Sequence, residues 1–66
     1  MKNIMNKYYF TFGHGQAYFG CYHVIEAENK ESACQLMNHR FQNKWSMVYD
    51  SPEKAGVKEW DLKQLK

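Results

Sequence analysis

The sequence has no long apolar run, no strong excess of either charge and few cysteines. In 66 residues no stretch approaches the ~20 apolar residues that a bilayer span needs, so no membrane segment is expected. No basic, apolar, small-residue leader opens the chain, so an export signal is not expected either. Nine Lys+Arg against seven Asp+Glu give a formal net charge of +2. That excess is too small for a dedicated duplex binder and has the wrong sign for an acidic DNA mimic. The two cysteines, Cys21 and Cys34, are fewer than a disulfide scaffold uses. They read as reduced thiols packed as small core residues of a cytoplasmic protein; a single bridge is the other option. No internal repeat or low-complexity segment is visible.

What is present is a globular mixture, with 44% hydrophobic, 17% aromatic and 24% charged residues. These proportions point to a packed domain and away from disorder. The length suits one small domain over residues 1–66. A chain of this size buries only about 60% of its unfolded surface, so a deep catalytic cleft is not expected.

The pattern along the chain predicts β-β-α-β. Met1 to Asn6 is a polar leader, expected to fray or at most to extend the first strand. Lys7 to Phe12 is aromatic and β-branched, a strand composition. Gly13-His14-Gly15-Gln16 supplies a turn, and Tyr18 to Ala27 reads as the second strand of a hairpin. Gly20 within it suggests a bulge. From Asn29 to Phe41 the period changes: Ala33, Leu36, Met37 and Phe41 fall on one helix face. Asn29 suits the N-cap, Glu31 the first turn, His39 and Arg40 the last, and Asn43 the left-handed exit. Lys44 to Tyr49 returns to a strand. Ser51 and Pro52 suit the N-cap and first position of a short turn or helix that Gly56 stops. Residues 51–66 form a C-terminal arm or a short fourth strand. The expected fold is α+β: a three-stranded antiparallel sheet in the order 2-1-3, with one helix on one face.

A single helix covers a single face. Alternation along strands places Tyr8, Phe10, Phe12, Ile25, Ala27, Trp45 and Met47 toward the helix. Tyr9, Thr11, Tyr18, Tyr22, Val24 and Val48 fall on the other side, which is too aromatic to be left in water. Its cover is expected to be the tail through Trp60 and Leu62, a second copy of the chain, or a partner. The candidate binding residues are Tyr9, Thr11, Tyr18 and Tyr22 on that face, with His14 and Gln16 on its rim.

Catalytic and metal motifs are weak. Gly13-His14-Gly15 resembles an anion nest, but a turn that needs positive φ accounts for it more simply. Cys21, His23, Cys34 and His39 contain no C-x₂-C pair. Cys34 and His39 sit about 140° apart around a helix, so no metal site and no cofactor are expected. A thiol nucleophile would need a base and an orienting group beside it. No such set stands out, and an enzyme is not expected. The aromatic run Lys7–Phe12 lacks the Lys/Arg-Gly-aromatic pattern of an RNA-recognition strand. The scattered Lys7, Arg40, Lys44 and Lys58 keep nucleic-acid binding as the alternative.

The strings Tyr9-Phe10-Thr11-Phe12-Gly13-x-Gly15-Gln16, Ile25-Glu26-Ala27, Ala33, Met37, Phe41 and Lys44-Trp45 together resemble a group of small uncharacterised phage and prophage proteins of low-GC Gram-positive bacteria. The resemblance covers Lys7 to Tyr49. Where similar proteins read Phe-Gly after the helix, this chain has Phe41-Gln42. The resemblance implies a genetic setting and no particular chemistry. In that setting the expected function is that of a phage-type accessory binding protein in the host cytoplasm. It would inhibit or modulate a host protein, such as a defence or CRISPR–Cas component, as an anti-CRISPR-like inhibitor does. The alternative is a weak single-stranded nucleic-acid-binding module.

Overall fold

The computed structural model describes residues 5–65. The first four residues of the expected leader lie outside them; Asn6 already belongs to the first strand. The elements are β1 (Asn6–Thr11), β2 (Cys21–Ala27), α1 (Lys30–Phe41), β3 (Met47–Tyr49), α2 (Pro52–Ala55) and β4 (Lys63–Leu65). Among these described residues no helix is long and apolar enough to cross a membrane.

β1 and β2 pair antiparallel, with Tyr8 opposite Ile25, Phe10 opposite His23 and Thr11 opposite Tyr22. The connection is longer than the sequence suggests. The second strand starts at Cys21, not Tyr18, and Gly20 precedes it instead of bulging it. Residues 12–20 instead form successive turns, closed by Gln16 N–H to the Gly13 carbonyl and Phe19 N–H to the Gln16 carbonyl, both at 3.1 Å. These local bonds take the backbone groups that a longer strand would have paired.

α1 begins where Asn29, in extended conformation, accepts the Ser32 N–H on its side chain at 2.8 Å. This satisfies one orphan donor of the first turn. The left-handed exit falls on Gln42, with φ 59°, and not on Asn43. Helical geometry sets about 100° per residue, which puts Ala33, Met37, Phe41 and Cys34 within an arc of roughly 100°. Leu36 falls outside that arc and is exposed, so it does not share the buried stripe as expected. α2 has the expected cap: Ser51 Oγ accepts the Lys54 N–H at 3.1 Å, Pro52 follows, and Gly56 ends the turn at φ 76°.

The sheet has four strands in the order β3-β1-β2-β4. Its first three follow the expected 2-1-3 antiparallel arrangement. β4 corrects the three-stranded, wholly antiparallel expectation: it lies parallel to β2, with His23 beside Leu65. Two parallel crossovers result, β2 to β3 through α1 and β3 to β4 through α2. They traverse the sheet in opposite directions, and such connections are right-handed. The two helices therefore lie on opposite faces.

The main core is on the α1 side. Phe10 and Met37 are fully buried, with Tyr8, Phe12, Ile25, Ala27 and Ala33 around them. Trp45 meets Phe10 edge-on at 5.0 Å, and its indole N–H donates to Asn38 at 2.9 Å. β3 corrects the face assignment. Val48 packs toward this core, opposite Phe10, while Met47 is exposed. Only Met47–Tyr49 is paired, and an irregular stretch precedes it. A slip of one residue exchanges the faces of a strand. Trp45, ahead of the strand, still reaches the α1 side.

Candidate functional site

On the second face, register brings together Tyr9 and Thr11 of β1, Tyr22 and Val24 of β2, and Met47 and Tyr49 of β3. The Tyr9 and Tyr22 rings lie 6.2 Å apart, tilted by 38°. Both residues are half-buried. The tail reaches this face, as one of the three expected covers, but it covers it incompletely. Ala55 is the buried anchor, while Trp60 remains 71% exposed.

Tail, sheet and connecting turn enclose a groove of about 480 Å³. Its floor carries Thr11 and Tyr49; Ala55, Trp60 and Leu62 form one wall; His14, Phe19 and Gly20 form the other. His14 stacks on Phe19 with ring centroids 4.2 Å apart and planes at 29°. Phe19 is 53% exposed. The Trp60 indole lies against Gly56, where a Cβ would come within 2.5 Å of its Cδ1. Gly56 thus brings the tail close enough for the ring to form the wall.

The sequence-derived site residues separate into three places. Tyr9, Thr11 and Tyr22 share the second face, with Thr11 at the groove floor. His14 is on the groove wall. Gln16 turns inward: its side-chain oxygen accepts the Gly13 N–H, so it holds the turn together. Tyr18 does not belong to the second face. Its ring packs edge-on against Phe12 and Phe41, each at 5.5 Å, on the α1 side. Because Tyr18 lies in the turn, strand alternation does not govern it. Sequence reasoning missed Phe19 and Tyr49, and gave Trp60 as a cover of the face and not as a site residue. Phe19 lies in a run of strand composition, and the β3 register, with Tyr49 opposite Tyr9, puts Tyr49 on the second face. For Trp60 the available signal was its spacing of four from the turn-ending Gly56.

A second constellation lies on the α1 side. His23 is 5% exposed. Its Nδ1 is 3.1 Å from the Leu65 carbonyl oxygen, and its Nε2 is 3.2 Å from an Arg40 guanidinium nitrogen. A carbonyl only accepts and a guanidinium only donates. In this pairing Nδ1 donates to the carbonyl and Nε2 accepts from the guanidinium, and the ring joins β2, α1 and β4. Phe41 packs edge-on against it at 5.4 Å. No described buried side-chain nitrogen or oxygen lacks a partner. Cys21 and Cys34 are free, half-buried thiols beside the core. Among the described residues, no three His, Cys, Asp or Glu side chains are grouped to hold a metal.

The groove offers contact chemistry: ring faces, one imidazole at His14 and hydroxyls at Thr11 and Tyr49. Comparison of the chain with family models, with curated proteins and with solved structures finds no match.

Proposed function

We propose that the chain is a non-catalytic binding module that docks onto a host protein through the groove rim formed by His14, Phe19 and Trp60. The carrying observation is the pair of large aromatics, Trp60 and Phe19, 71% and 53% exposed, that line the same groove. Rigid aromatic anchors around a shallow depression are the residues that dominate protein interfaces. The phage-like setting suggested by the Phe10–Gln16 string supports a stoichiometric accessory role in the host cytoplasm, with inhibition or redirection of a defence factor as its form. Two cations of the nucleic-acid alternative are placed away from this groove: Arg40 is engaged with His23, and Lys7 lines an opening at the other end of β1.

The test is affinity capture from a lysate of a low-GC Gram-positive host. Trp60→Ala and Phe19→Ala should each weaken capture by at least about thirtyfold, the cost of a hot-spot truncation of ~2 kcal/mol. Phe19→Ala, at an exposed position, should change stability by no more than about 0.5 kcal/mol, and Trp60→Ala by no more than about 1.5 kcal/mol, the worth of its covered contact with Gly56, so both variants stay folded. Undiminished capture by both variants, or binding that instead follows single-stranded DNA and falls steeply with salt, refutes the assignment.

A further inference from the structure

Beyond the aromatic groove, β1 carries at its other end an edge that no described residue pairs. β3 pairs with β1 only from Tyr9 to Thr11, whereas β1 begins at Asn6. In an antiparallel strand, alternate residues aim their amide and carbonyl at opposite neighbours. The Thr11 carbonyl accepts the Ser46 N–H at 2.8 Å, which fixes the parity. Thr11, Tyr9 and Lys7 turn their backbone groups toward the β3 side. At Lys7 the β3 pairing has ended, and the N–H and C=O face a groove of about 680 Å³.

The lining of that groove specifies its occupant. Lys7, Lys30 and Lys54 line it together with Tyr9, Tyr49 and Asp50. Asp50 is the one carboxylate among its lining residues, and it is paired with Lys54 at 3.2 Å. The opening is therefore basic, and an acidic occupant complements it. An alternating donor and acceptor at Lys7 complements a peptide backbone; a phosphodiester, which only accepts, satisfies half of it. A second copy fits poorly, because pairing about Lys7 sets lysine against lysine, and like charges directly opposite are destabilising. Edge lysines are a known block to such self-pairing. The other open stretch among the described residues, Val24–Ala27 beyond the β4 pairing, adjoins an opening lined by Lys7, Arg40 and Glu26; Arg40 is engaged with His23, so this opening is less basic.

We infer that the Lys7 edge of β1 takes an extended acidic peptide segment of a partner protein as an added strand. Its backbone bonds to Lys7, and its carboxylates meet Lys30 on one face and Lys7 on the other.

The experiment is an NMR titration of the ¹⁵N-labelled full chain with three blocked synthetic hexapeptides. One alternates Glu and Val, one alternates Lys and Val, and one is the acidic peptide N-methylated at every second residue. The acidic peptide should shift the Lys7 amide and slow its hydrogen exchange. The lysine and N-methylated peptides should each bind at least about tenfold more weakly, and Lys30→Glu should weaken the acidic peptide by about two- to fivefold. Glu suits the first turn of α1, so this variant tests charge without threatening the fold. An unmoved Lys7 amide, or equal binding of the N-methylated peptide, overturns the added strand. Equal binding of the lysine peptide overturns the acidic preference. Slowed exchange at Lys7 on concentration alone assigns the edge to a second copy, and preferential response of the same amides to oligo-dT assigns it to nucleic acid; either result overturns the inference. The aromatic groove is untouched by these outcomes, because Phe19 and Trp60 take no part in them.

Discussion

Replacing Gly56 by Ala should dislodge the Trp60 wall, and a second glycine provides the control. Gly15 and Gly56 both sit at positive φ, 83° and 76°. An Ala in either place meets the same left-handed penalty of about 1–2 kcal/mol. Their surroundings differ. A Cβ at Gly15 finds nothing within 4 Å, whereas one at Gly56 comes within 2.5 Å of Trp60 Cδ1. The ring must leave. Trp60 is 71% exposed, so of the ~200 Å² that an aromatic side chain can bury roughly 60 Å² is covered. At about 25 cal/mol per Å² that contact is worth about 1.5 kcal/mol. Gly56→Ala should therefore melt below Gly15→Ala by roughly 6–12 °C, at about 4–8 °C per kcal/mol for a domain of this size. Incorporating 5-fluorotryptophan gives two ¹⁹F resonances, from Trp45 and Trp60. Gly56→Ala should shift one of them and Gly15→Ala neither. Equal melting temperatures with both resonances unmoved would show that the indole does not rest on Gly56, and the groove would lose that wall.

Two further outcomes test the α1 side. Phe10→Ala removes a fully buried ring with an edge-on partner in Trp45. The expected loss of about 3–5 kcal/mol is comparable with the whole stability of a small domain, about 3–10 kcal/mol at this length. Its amide spectrum should collapse toward random-coil dispersion, and a well-dispersed spectrum at 37 °C would contradict the core assignment. Long-range ¹H–¹⁵N spectra of neutral His23 should show the Nδ1–H tautomer, since Arg40 donates to Nε2 and Leu65 accepts from Nδ1. An Nε2–H tautomer would mean that the guanidinium is elsewhere.

The parts legible in the sequence were those set by local chemistry. Asn29, Ser51, Pro52 and Gly56 each have a side-chain or backbone requirement met within three or four residues, and each was placed correctly. The β1–β2–α1–β3 order followed from composition and period. The parts that were not legible depended on distant partners. Tyr18 and Phe19 have strand composition, yet local turn bonds from Gly13 to Cys21 take their backbone, and Phe41 supplies the surface for Tyr18. The β3 register depends on where Trp45 docks against Phe10 and Asn38, a contact made across the chain. Leu36 satisfied the spacing rule, but Cys34 occupies the inward position instead. At the candidate site, Thr11 and His14 were identified; Trp60 was expected to seal the second face and instead stands at its margin.

The position of the groove follows from topology. β3 and β4 are parallel and occupy opposite edges of the sheet, so residues 50–62 must cross three strand spacings, about 14 Å at ~4.8 Å each. They must also run back along the strands, from beside Tyr9 to beside Cys21. The path is therefore a diagonal, and a diagonal leaves two corners of a rectangle bare. One lies at Val24 and Glu26, where no connection rises beside it. The other lies at Thr11 and Met47, and there the 12–20 connection stands up from the sheet and places His14 and Phe19 opposite the tail. A tight two-residue hairpin would have left this second corner as flat as the first. The long turn, which strand composition concealed, is what makes the bare corner a groove with two aromatic walls.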